Sequence, residues 1–152
     1  MRKKKYNTQN TVPKSKEWWD LIFSAWLAAS MASLSAIFIG EVLGQVPCDL
    51  CWYQRIFMFP LPIILGIAAY RSDYDVWRYA LPLSIAGLIF SLIHTLYFYG
   101  ILPENLGPCT EGFPCVGDDM MLWEFLPMPM LASAAFLYIT FNLVLVMRRD
   151  RK

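Results

Sequence analysis

Apolar residues in this chain fall into four long blocks separated by short polar stretches. The blocks run from about Trp19 to Val42, Trp52 to Tyr70, Tyr79 to Tyr99 and Leu126 to Met147. Each is close to the ~20 residues that a helix needs to cross ~30 Å of hydrocarbon. Lipid offers backbone N–H and C=O groups no hydrogen bonds, so the blocks are predicted to be helices. The expected fold is an all-α integral membrane protein, a four-transmembrane-helix bundle with two outer loops. The first block is longer than the ~7–15 apolar residues of a cleaved signal peptide, and reads as a retained helix.

Proline sharpens the pattern. Pro82, Pro127 and Pro129 lie near predicted helix starts, where a missing N–H costs little. Pro60 and Pro62 lie inside the second block and predict a kink there. The organisation expected is a basic tail over 1–17, one helical domain over 18–148 and a short tail over 149–152.

Composition agrees with the blocks. Hydrophobic residues make up 57% of the 152 and charged residues 16%, with a mean hydropathy of +0.42. Soluble domains carry about 25% charged residues. No basic patch interleaved with aromatics marks a nucleic-acid surface. No P-loop, dinucleotide fingerprint or nucleophile elbow is present.

The charges fix an orientation. Twelve of the 13 basic residues lie before block 1, between blocks 2 and 3, or after block 4. An even number of crossings puts these regions on one side, and the positive-inside rule makes it the cytoplasm. The basic N-terminal run is also suited to touching anionic lipid headgroups. The opposite side receives roughly 43–51 and 100–125, which contain no Lys or Arg. All four cysteines, Cys48, Cys51, Cys109 and Cys115, fall in those two outer segments. That is the side on which disulfides persist.

The stretch PCDLCWYQR carries the first pair, Cys48 and Cys51, in a CxxC. Such motifs form tight disulfides and depress a thiol pKa. With Cys51 at the start of a helix, the dipole there makes it the expected thiolate. A zinc site has enough cysteine donors, but the second pair is spaced CX5C and the compartment is oxidising, so no metal is expected. Arg55 lies one turn beyond Cys51, and i and i+4 share a helix face. A cation at membrane depth is a functional candidate, snorkelling being the plainer alternative. It suits a thiolate or the oxygen of a membrane quinone, which takes the two electrons and two protons of one dithiol.

The second pair lies in GPCTEGFPC, where Gly112 and Pro114 favour a tight turn. An exposed disulfide in so short a loop is labile, or is a staple. The stretch that follows, GDDMMLWEFLP, reads as a short amphipathic helix in the outer interface. His94 is the one histidine, in the outer half of block 3. It is either a packed, hydrogen-bonded residue or a proton carrier for bound quinone. Glu41, near the outer end of block 1, either faces Arg55 or reaches the headgroups.

Together, PCDLCWYQR followed by an apolar helix, GPCTEGFPC and four helices from Trp19 to Met147 resemble the DsbB family of disulfide bond formation proteins. The similarity is greatest to its short, BdbC-type branch. The resemblance implies a bacterial plasma-membrane thiol:quinone oxidoreductase with both termini cytoplasmic. It implies a soluble, DsbA-like thioredoxin-fold oxidase as partner and ubiquinone or menaquinone as cofactor. It further implies that the partner attacks the Cys109–Cys115 disulfide, at Cys109, that Cys48–Cys51 reoxidises that pair, and that Cys51 passes electrons to quinone beside Arg55. One departure stands out: only five residues separate Cys109 from Cys115, where better-known members have a longer insert. Two other readings are a quinone-linked protein like vitamin K epoxide reductase and a non-enzymatic scaffold with structural disulfides. The first is disfavoured by cysteine order, because here the CxxC precedes the loop pair.

Overall fold

The structure, a computed structural model, describes residues 12–44, 47–101, 121–122 and 126–150. Cys109 and Cys115 lie outside the described residues. Among the described residues, five α-helices make four spans. Helix α1 (Val12–Ile37) widens at its end into a π turn, Phe38–Val42. Helices α2 (Asp49–Met58) and α3 (Pro60–Arg71) together form the second span. Helix α4 (Trp77–Phe98) follows a 3-10 turn at Tyr74–Val76, and α5 is Met128–Asp150. The spans Lys16–Val42, Asp49–Arg71, Tyr74–Phe98 and Met128–Asp150 contain 27, 23, 25 and 23 residues. At ~1.5 Å per residue these are roughly 35–40 Å long, enough to cross ~30 Å of hydrocarbon.

The second span breaks where its prolines predict. Pro60 has no N–H to give to the Ile56 carbonyl, and Pro62 has none for Met58. Phe59, between the two helices, keeps helical dihedrals and bonds back to the Arg55 carbonyl at 2.9 Å. The break lets each half choose its own neighbour. Helix α2 packs chiefly on α4, and α3 chiefly on α1.

The core is the seam where α1, α3, α4 and α5 meet. Ile22, Ala25, Leu61, Leu65, Ala80, Phe136, Ile139, Leu143 and Val146 are buried there. Outside it the surface stays apolar: Met31 is 68% exposed, Ile63 66% and Phe141 60%. Helices apolar on every face belong in lipid. Without a hydrophobic drive between helices, association relies on close packing and interhelical hydrogen bonds. Helix α4 supplies both on one stripe. Ser84, Gly87 and Ser91 are buried, and Thr140 donates to Ser84 at 3.1 Å. Thr95 and Ser133 hydroxyls meet at 3.0 Å. A Cβ on Gly87 would overlap the Phe136 ring, so the absence of a side chain there admits the ring.

One end of the bundle carries the exposed charges. Arg149 pairs with Glu17 at 3.0 Å, and Arg78 with Asp75 at 3.2 Å. The Trp77 indole donates to Asp150 at 3.4 Å. At the other end α4 closes with Gly100 at φ +68° and Ile101 N–H bonded to the Leu96 carbonyl. This αL turn satisfies the last carbonyls just past His94.

Two expectations are corrected. The second span begins at Asp49, three residues before Trp52, because Cys48 caps it. The expected amphipathic helix before α5 is absent where the backbone is described. Met121–Leu122 pairs antiparallel with Leu126–Pro127 instead. Proline biases its preceding residue to extended backbone, and Leu126 precedes Pro127.

Replacing Gly87 with Ala should destabilise the bundle by ~1–3 kcal/mol, the usual cost of overpacking. Ile89→Ala, on the exposed side of the same helix, should stay within about 0.5 kcal/mol. Unfolding midpoints in mixed micelles check both, and equal midpoints for wild type and Gly87→Ala would contradict the close α4–α5 packing.

Candidate functional site

The chain enters α2 through Pro47 and Cys48. Cys48 has extended dihedrals (φ −68°, ψ 168°) and occupies the N-cap. Its sulfur accepts the Cys51 N–H at 3.4 Å. Sulfur thus does what a Ser or Asp oxygen usually does, satisfying a donor that has no partner within the helix. The sequence reading put the dipole-stabilised thiolate on Cys51. The structure gives that place to Cys48, because Cys51 is the third residue of the helix and points its N–H at the Cys48 sulfur.

Both cysteines are free thiols, with Cys48 buried and Cys51 half-buried. Their sulfurs are 3.0 Å apart, close enough to share a hydrogen. With Cys48 ionised, the Cys51 thiol donates to it, and this holds Cys48 well below the usual thiol range. Burial opposes the shift, while His94 and the Cys51 N–H support it.

His94 is 1% exposed, on the face of α4 that meets α2. Its Nε2 is 3.7 Å from Cys48 Sγ and its Nδ1 3.0 Å from Gln54 Nε2. Both ring nitrogens are therefore engaged, Nε2 at the CxxC and Nδ1 at Gln54. Of the two readings of His94, the packed, hydrogen-bonded one describes this geometry. Gln54 is itself buried. The sequence reading missed it, although it is a polar side chain inside an apolar block, the same signal that marked Arg55. Tyr53 and Phe57 stack on Phe90 to seal the α2–α4 contact below.

Cys51 and Arg55 face the other way. They line a cavity of about 360 Å³ between α1, α2 and α5 with Gln54, Met58, Met128 and Phe136. Ala28, Ala32 and Ala36 of α1 form much of the opposite wall. The shared face of Cys51 and Arg55 is the one their spacing predicts. The guanidinium is held by α1: Arg55 Nη2 donates to the Ala36 carbonyl at 3.0 Å. Gly40, in the π turn, leaves it room, since a Cβ there would stand 3.1 Å from Nη2. The π turn itself is fixed by Leu43 N–H bonding back to the Phe38 carbonyl. Such widened turns recur at functional sites. Trp52 lies against the guanidinium, 5.7 Å from its ring centroid. Glu41 is exposed, and among the described residues Arg55 forms no ion pair with it. The arrangement is therefore a dithiol with a buried imidazole on one side and a fixed cation over an apolar cavity on the other.

Known proteins similar to this chain share one theme. A family described as "Disulfide bond formation protein DsbB" matches residues 16–147. A "Probable disulfide formation protein" of Metapseudomonas resinovorans is 51% identical over 132 residues, 86% of this chain and 92% of that one. "Disulfide bond formation protein C" of Bacillus subtilis (strain 168) is 38% identical over 120 residues, covering 78% and 86%. A "Probable disulfide formation protein" of Coxiella burnetii (strain CbuK_Q154) is 39% identical over 127 residues, covering 82% and 85%. No solved structure matches. Four spans, a CxxC at the start of the second and relatives aligned over most of their length converge: the chain belongs to the DsbB family of disulfide bond formation proteins, membrane oxidoreductases.

Proposed function

We propose that this chain is a thiol:quinone oxidoreductase of the bacterial plasma membrane that reoxidises an extracytoplasmic, DsbA-like thioredoxin-fold oxidase. Both basic ends are cytoplasmic, and both cysteine loops face outward. The observation that carries the reading is Cys51 and Arg55 on one wall of an apolar cavity bordered by the first turns of the second span. A quinone fits such a lining: an apolar ring with carbonyl edges needs apolar walls and one fixed donor. Arg55 and Cys51 would hold it, with Gln54 beside them. When bound, a quinone of the ubiquinone or menaquinone type supplies a two-electron, two-proton acceptor.

The rest follows from the chain's own residues. The partner's dithiol reduces the Cys109–Cys115 disulfide, and that pair in turn reduces Cys48–Cys51. To close again, the two sulfurs, 3.0 Å apart, join as the Cys51 S–H bond breaks and the pair gives its two electrons to the quinone that the cavity would hold. One S–S bond forms, and two electrons and two protons leave. The electrons leave from Cys51, the sulfur that borders the cavity. The proton of Cys48 has a holder in His94, kept in orientation by Gln54. Arg55 stabilises negative charge that develops in the cavity.

Purified protein with a reduced thioredoxin-like oxidase should consume quinone, and Cys51→Ser should abolish this. Wild-type turnover by that variant would end the proposal. Losing a hydrogen bond to a charged group costs about 1.5–3 kcal/mol, so Arg55→Ala should lower kcat/KM for quinone by roughly 10–100-fold. Arg55→Lys should recover it only in part, lacking the planar fork. Gly40→Val should raise the quinone KM, because it pushes the guanidinium from its seat. Redox titration should place both pairs above about −300 mV, the region of labile rather than structural disulfides.

The depressed Cys48 pKa has its own test. A lowered value keeps the thiolate present at all pH above it and loses it as pH falls through it. In a Cys109→Ser/Cys115→Ser background, thiolate absorbance of the reduced protein should therefore persist below the ordinary thiol pKa of ~8.5. Cys48→Ser should remove the low-pH component, and a single midpoint at or above ~8.5 would contradict the N-cap assignment.

A further inference from the structure

The reduced CxxC and His94 form a set of donors that electron transfer alone does not require. Cys48 Sγ, Cys51 Sγ and a His94 ring nitrogen all lie within 4.8 Å of one another. We propose that the reduced pair and His94 form a binding site for a thiophilic divalent cation of the zinc class, which locks the protein in its dithiol state. The donors are distinct from the four-cysteine set that sequence spacing argues against, because Cys109 and Cys115 take no part.

The geometry is close to what such an ion needs. Tetrahedral zinc holds sulfur at ~2.3 Å and imidazole nitrogen at ~2.0–2.1 Å. Those lengths put neighbouring ligands about 3.5–3.8 Å apart. Cys48 Sγ and His94 Nε2 are already 3.7 Å apart. The two sulfurs, at 3.0 Å, must open by less than ~1 Å, a small rotation for the half-buried Cys51. Gln54 supplies the remaining element of a metal-bound histidine. The ring nitrogen that does not face the sulfur is hydrogen-bonded, which fixes ring orientation and leaves Nε2 to the ion. This needs the Gln54 amide turned so that its carbonyl oxygen accepts from Nδ1–H.

Access and exit are set by the same residues. Cys48 and His94 are each 1% exposed, so the ion arrives from the cavity that Cys51 borders. Three protein ligands leave a fourth position, taken by water from that side, the open-site pattern of non-structural zinc. Binding releases whatever thiol protons remain and changes no oxidation state. Oxidation abolishes the site, because the disulfide has no thiolate left to offer. The site is thus present only in the dithiol state, and an ion in it removes both nucleophiles from exchange. A thiophilic cation outside the cell should therefore stop turnover after reduction of the pair rather than before.

Cobalt(II) is the probe, because thiolate ligation gives it charge-transfer bands and tetrahedral sites give it intense visible bands. The full chain is used in detergent with Cys109→Ser/Cys115→Ser, so that only the CxxC thiols remain. Reduced protein should take up one cobalt per chain with both sets of bands, and zinc should displace it. The same protein oxidised at Cys48–Cys51 should show none, a control that needs no further substitution. Gln54→Ala should weaken binding by ~10–100-fold, the usual effect of losing a partner that orients a ligand. His94→Gln, close in size, should weaken it further and shift the visible bands. A reduced protein without cobalt bands overturns the site. So do bands that survive in the oxidised protein, or that are unchanged in His94→Gln. None of these readouts uses quinone or a partner oxidase, so the site and the relay fail independently.

Discussion

The break between Met58 and Pro60 is the constraint on which the rest of the site depends. A continuous helix through the second span would follow one neighbour along its whole length. Two missing N–H donors at Pro60 and Pro62 leave the chain helical at Phe59 but divide its packing, with α2 on α4 and α3 on α1. Cys48 and Gln54 are thereby brought against His94. The other face of α2 is left to border the space between α1 and α5. Proline thus sets the site indirectly, by deciding which helix each half of the span touches.

Lipid supplies the polar groups of this bundle with no partner, so the protein must; among the described residues the Ser33 hydroxyl is the buried side-chain group left without one. Ser84, Ser91 and Ser133 bond back to carbonyls of their own helices or meet a hydroxyl across the interface. Asn142 binds the Tyr138 carbonyl and the Ser24 hydroxyl. His94 and Arg55 follow the same rule with a different result. Gln54 and the Ala36 carbonyl satisfy one side of each. What is left is a nitrogen at the Cys48 sulfur and a guanidinium beside an apolar cavity. A bundle that partners most of its buried polar groups internally can still orient two of them toward a site.

Much of this was legible in the sequence. The four spans followed from apolar block length, and the break from Pro60 and Pro62. The shared face of Cys51 and Arg55 followed from i, i+4 spacing. Three things did not. Cys48 as the N-cap turns on a boundary three residues from the apolar block's edge, where Pro47 and Asp49 were the available clue. Gln54 lies on the same helix as Cys51, but its partner is 40 residues away, and no periodicity reports a tertiary contact of that kind. Gly40 was silent because a glycine near a helix end has several uses, and only the position of the Arg55 side chain selects among them. In GDDMMLWEFLP the described residues Met121, Leu122, Leu126 and Pro127 are extended, and the bias that Pro127 imposes on Leu126 was the available clue.

The two sulfurs of the CxxC differ in surroundings more than in distance. Cys48 has the N-cap, the Cys51 N–H and His94, and no opening to lipid. Cys51 has the cavity wall and the helix face it shares with Arg55. A symmetric pair would have no preferred direction for electrons. Here the sulfur best able to bear negative charge is the one buried away from the cavity, and its partner 3.0 Å away is the one that borders the cavity. That division fits a disulfide that is closed from behind while its electrons leave in front. It also explains why a lone CxxC at a helix start is not enough: the direction comes from α4 on one side of it and from the cavity shared with α1 and α5 on the other.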